Sequence, residues 1–73
     1  MNISLSQHSL VIVNSSHIVT IFADGDLETD NLPRAIQNGL MRVVQSGRLT
    51  LPRLADLARR SSTFQDLYLA LPR

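Results

Sequence analysis

Two histidines, a short acidic run and an all-arginine basic set are the side chains of this sequence that could do chemistry. His8 and His17 flank a stretch rich in Val, Ile and Thr, and a hairpin there could bring them towards each other across its strands. Two imidazoles without a third ligand make a weak metal site. The run Asp24-Gly25-Asp26-Leu27-Glu28-Thr29-Asp30 has the alternating acids of a calcium loop. Its glycine is misplaced, and the twelfth position from Asp24 is Ala35 instead of glutamate. Those acids suit the positive end of a following helix better. Serine, histidine and aspartate all occur, with no pattern that orients a nucleophile through a base and a third group. The three glycines stand alone, so there is no phosphate-cradling loop. The expected chemistry is recognition: no enzyme, no catalytic residue, no cofactor, no metal and no small-molecule substrate.

The arginines carry most of that expectation. All seven basic residues are Arg, whose planar fork binds carboxylate or phosphate in bidentate fashion. A genome rich in G and C would also favour Arg codons. Net charge is only +1, but charge is segregated. Residues 1–23 carry only His8 and His17, four acids crowd residues 24–30, and residues 31–60 hold Arg34, Arg42, Arg48, Arg53, Arg59 and Arg60 with the single acid Asp56. Two opposed patches on a nearly neutral chain suit a specific polar partner.

The elements that position these groups are legible from pattern. Ile3 and Leu5 alternate with serines in a short strand or arm. Residues 9–23 read as a β-hairpin, with Asn14, Ser15 and Ser16 as turn formers. Leu10 and Ile12 face opposite to Val11 and Val13, and Ile18, Thr20 and Phe22 face opposite to Val19 and Ile21. Both faces are apolar, which in a covered sheet would be ordinary. Here the helices can cover only one. We therefore expect the hairpin to dock on another protein by its edge or apolar face, with Val11, Val13, Val19 and Ile21 in the interface. Aspartate at Val11 or Val19 should then abolish the complex and leave the domain folded. Wrapping by the arm and C-terminus, or pairing with a second copy, would equally hide the face.

Three helices are predicted over 32–46, 51–60 and 63–71. Asn31 is a cap for the first, Pro33 sits in its first turn and Gly47 stops it. Leu32, Ile36, Leu40, Val43 and Val44 form its apolar stripe. Thr50 caps the second, with Leu49 and Leu54 as a hydrophobic staple and Leu51, Leu54, Leu57 and Ala58 turned inward. Ser62 and Gln65 read as a capping box for the third, whose inner face is Phe64, Leu67, Tyr68 and Leu71. Leu-Pro-Arg recurs at Leu32, Leu51 and Leu71 as local capping chemistry. A helix under about 12 residues is marginal alone, so the tail from about Ser62 is expected to be flexible.

Leu54-Ala-Asp-Leu-Ala-Arg-Arg through Leu67-Tyr-Leu-Ala-Leu71 resembles a bacterial helix-turn-helix. The resemblance implies a DNA-binding repressor or antitoxin. Ser62 stands where the turn usually has glycine, and the last helix carries Asp66 and no basic residue, which opposes phosphate binding.

From its Met-Asn-Ile-Ser-Leu-Ser start, through the neutral hairpin, to the helices opened by Leu32-Pro33-Arg34 and Leu51-Pro52-Arg53, the chain resembles the small transcription regulators of lytic Xanthomonas phages. Those regulators bind host RNA polymerase. The resemblance implies docking on the host polymerase, with inhibited initiation and antitermination as outputs.

One α+β domain is expected, a small antiparallel hairpin or sheet followed by three short helices. Its core should be Leu10, Ile12, Ile18, Phe22, Ile36, Leu40, Val44, Leu54, Leu57 and Leu67. The Arg face would touch the polymerase or, secondarily, nucleic acid. The longest pure apolar run, Leu10 to Val13, is far short of a membrane span, and no basic flank precedes it. With no cysteine, a cytoplasmic setting in the host bacterium fits.

Overall fold

The structure, a computed structural model, describes residues 1–15 and 17–72. It is an α+β fold. Four strands, β1 (Asn2–Leu5), β2 (Ser9–Asn14), β3 (His17–Phe22) and β4 (Leu27–Thr29), form an antiparallel meander in chain order. Helices α1 (Arg34–Gln45), α2 (Leu51–Arg59) and α3 (Phe64–Ala70) follow.

Turn length sets the register. Asn14 pairs with His17, so two positions join β2 to β3, and Ser15 takes a left-handed φ of 49°. Leu10 then lies opposite Ile21, and Ile12 opposite Val19. A three-residue turn would instead have aligned Leu10 and Ile12 with Ile18 and Phe22, as the sequence reading assumed. The consequence is a correction at four positions. Val19 and Ile21 are 0% exposed and belong to the core. Ile18 is 50% exposed and Phe22 half-buried, both on the outer face. Ser16 itself lies outside the described residues, as does Arg73 of the third Leu-Pro-Arg.

The arm expected around Ile3 and Leu5 is β1, paired with β2 so that Ile3 faces Ile12 and Leu5 faces Leu10. The acidic connection holds a strand the sequence reading missed. β4 places Leu27 beside Ile21 and Thr29 beside Val19. The turn before it is built by Gly25 at φ 93° and by Asp24, whose carboxylate accepts from the Asp26 N–H at 2.9 Å.

The helices cover one side of this sheet. Leu10, Ile12, Val19 and Ile21 meet Leu32, Ile36, Leu40 and Val43 from the α1 segment, Leu51, Leu54, Ala55 and Ala58 from α2, and Phe64, Leu67 and Leu71 from the α3 segment. Val44 and Leu57, expected in the core, are only half-buried against its rim.

Helix ends differ from expectation in two places. Asn31 does not cap α1; it turns left-handed at φ 58°, and the helix starts after Pro33. The Gln37 side chain donates to the Leu32 carbonyl at 2.6 Å, tying that turn to the helix. At α3 the cap is Thr63, whose Oγ1 accepts from the Asp66 N–H at 3.1 Å; Ser62 stands one residue too early. Gly47 does end α1 with φ 75°, and Thr50 is the N-cap of α2, although its side chain makes no capping hydrogen bond. The tail expected to be flexible is packed: Phe64 and Leu67 are buried and α3 lies against α1 and α2.

Candidate docking face

The sheet's outer side is the feature left without a partner. On β2 it presents Val11 and Val13, and on β3 Ile18, Thr20 and Phe22. Val13 lies directly opposite Ile18, Val11 opposite Thr20, and Ser9 opposite Phe22. At about 3.3 Å per residue, the three cross-strand rows span roughly 13 Å along the strands. Asn2 and Ser4 on β1 and Glu28 on β4 give this apolar centre a polar margin. All buried strand residues point to the helical side, and none points outward. The alternation that builds β2 and β3 therefore puts hydrophobic side chains on water, which monomers usually avoid over contiguous areas.

Of the four apolar contact residues expected from sequence, Val11 and Val13 lie on this face. Val19 and Ile21 are on the opposite one, sealed under the helices, and are not available to a partner. Ile18 and Phe22 take their place. The signal that could have found them was the two-residue turn, which a reading of hydrophobicity alone passes over.

The arginines do not form one face. All six described guanidinium-bearing residues are exposed, but they divide. Arg34 opens α1. Arg53 and Arg60, seven residues apart, share one side of the α2 segment. Arg59 is tied to Asp56 at 2.8 Å in an exposed pair within one helix, worth little in stability. Arg42 and Arg48 line a cleft between α1 and α3 together with Gly39, Val43, Tyr68 and Leu71.

The two histidines are also apart. His8 sits in the turn between β1 and β2, where its carbonyl accepts from Ala23 N–H, and His17 is at the far end of β3. Roughly 20 Å of strand separates these ends at 3.3 Å per residue, so they cannot share a ligand. The acids are spread over a turn and a strand, and none falls in the first turn of α1. No group of three metal-binding side chains converges among the described residues. Among them, too, no helix is long and apolar enough to cross a membrane.

The segment resembling a helix-turn-helix forms α2 and α3 in contact. In α3, Phe64 and Leu67 are buried, and the exposed residues are Gln65, Asp66, Leu69 and Ala70. That surface offers DNA no cation.

No protein-family model, no curated protein and no solved structure matches this chain. The outer sheet face is therefore described by its own chemistry alone: apolar side chains on two central strands with a polar margin.

Proposed function

We propose that this protein is a non-enzymatic regulator that docks on bacterial RNA polymerase inside the host cell, inhibiting initiation, promoting antitermination, or both. The observation that carries the docking is the apolar outer face of the sheet, where Ile18 is exposed and Val11, Val13 and Phe22 are half-buried with no helix over them. The choice of polymerase rests on the resemblance of segment order to the regulators of lytic Xanthomonas phages. Burial of the four apolar side chains would supply most of the affinity. Arginines outside the sheet would set register and on-rate against acidic polymerase residues, with RNA or DNA as a secondary contact.

The test is gel-filtration co-elution of the purified protein with bacterial core RNA polymerase, with a DNA duplex run in parallel. Co-elution with polymerase that is lost in Val11→Asp and Ile18→Asp, both still folded by circular dichroism, supports the reading. Polymerase binding that survives both substitutions removes the outer face from the interface. Retention by DNA alone, steeply weakened by salt, replaces the reading with a DNA-binding repressor or antitoxin. Binding to neither leaves an adaptor for another protein.

A further inference from the structure

The cleft between α1 and α3 is the second place where the surface is shaped for a ligand. Its volume is about 560 Å³, within the roughly 300–1,000 Å³ range of ligand-binding pockets. Gly39 lies at its wall, in close contact with Tyr68. A Cβ at that position would sit 3.0 Å from Cε1 and 3.1 Å from Cδ1 of Tyr68, so the bare backbone lets the ring lie against α1. Val43 and Leu71 add aliphatic walls, and Arg42 and Arg48 are exposed at the cleft. None of its described lining residues is acidic, and the ion pair found among the described residues is elsewhere.

We propose that this cleft binds an acidic peptide segment, an apolar side chain entering between Val43, Tyr68 and Leu71 while flanking carboxylates meet Arg42 and Arg48. Charge complementarity selects the acidic class, because two forks that make no ion pair with the described residues, beside an apolar floor, match a carboxylate next to a hydrophobic anchor. A nucleotide fits less well. Tyr68 is half-buried with one ring edge against the Gly39 backbone, so only part of the ring is open to stacking. The cleft shares no residue with the outer sheet face, so the inference stands whether or not that face binds polymerase.

The experiment uses the full chain and fluorescence anisotropy of a labelled short peptide, one Phe flanked by glutamates. Controls are the same peptide with lysines for glutamates and an oligouridylate RNA. Expected is saturable binding of the acidic peptide alone. Arg42→Gln with Arg48→Gln should weaken it roughly tenfold, the effect of two partly exposed ion pairs. Arg53→Gln with Arg60→Gln should leave it unchanged. Amide resonances of Gly39 and Tyr68 should shift on titration. Absent peptide binding overturns the proposal. So does equal weakening by both double variants, which would mean undirected charge attraction, or RNA binding with the same dependence on Arg42 and Arg48.

Discussion

The imidazole of His17 meets the ring of Phe64 edge-on, with centroids 6.1 Å apart and planes at 82°. This contact joins the tip of the β2–β3 hairpin to the first residue of α3. Asn14, paired with His17 across the hairpin, reaches the Ser62 carbonyl at 3.5 Å, and His17 Nδ1 lies 3.3 Å from the Asp30 carbonyl, which accepts. A helix of seven residues, marginal alone and packed on α1 and α2, thereby gains a tie to the hairpin tip at its first turn. Phe64→Ala should destabilise the protein by about 3–4 kcal/mol. A double-mutant cycle with His17→Ala should return about 0.5–1.5 kcal/mol of coupling, measured by urea denaturation. Zero coupling would mean the two rings are only neighbours.

Aspartate substitutions should separate the two faces of the sheet. Val19→Asp places a carboxylate in the core, at a cost above about 3 kcal/mol, and a domain of this size should lose its fold. Val11→Asp, one of the outer residues, should keep native circular dichroism with a change within about 1 kcal/mol. The reverse order of stabilities would place the helices on the other face.

Two left-handed glycines should respond differently to alanine. At Gly47 a Cβ meets nothing within 4 Å, so only backbone strain remains, about 1 kcal/mol. At Gly25 the same strain is joined by a clash with the Gln45 side chain. Gly25→Ala should therefore lower the melting temperature more than Gly47→Ala, and adding Gln45→Ala should recover part of the difference. No recovery would mean that Gln45 is not what the new methyl meets.

The cap of α3 can be assigned by two substitutions. Thr63→Ala should cost about 1 kcal/mol by removing the acceptor for the Asp66 N–H. Ser62→Ala should be nearly neutral. A larger loss at Ser62 in thermal denaturation would restore the capping box read from sequence.

Thr29 offers a stabilising change. Its Oγ1 is buried without a hydrogen-bond partner among the described residues, on the core side opposite Val19. Thr29→Val keeps the shape and removes the orphaned hydroxyl. It should raise stability by about 1 kcal/mol in chemical denaturation. A loss of similar size would show that the hydroxyl is satisfied in solution.

By itself the sequence determined the α+β class, the order of hairpin then three helices, and the centre of each helix's inner stripe. Pro33, Gly47, Thr50 and Pro52 mark helix ends through local backbone chemistry, and Ile36, Leu40, Leu54 and Leu67 repeat at helical spacing. The hairpin was legible as a hairpin, but not which of its faces is buried. Val11, Val13, Val19 and Ile21 could not be sorted by hydrophobicity, because both faces carry it, and a one-residue change in the turn flips one strand against the other. Tertiary structure made that choice through the Asn14–His17 pair. It also recruited Leu27–Thr29 as an edge strand, a segment too short and acidic to declare itself. It sent His8 and His17 to opposite ends of the sheet and divided the arginines among separate surfaces. Spacing along a chain reports neighbours within one element, whereas these placements depend on how elements pack across the fold.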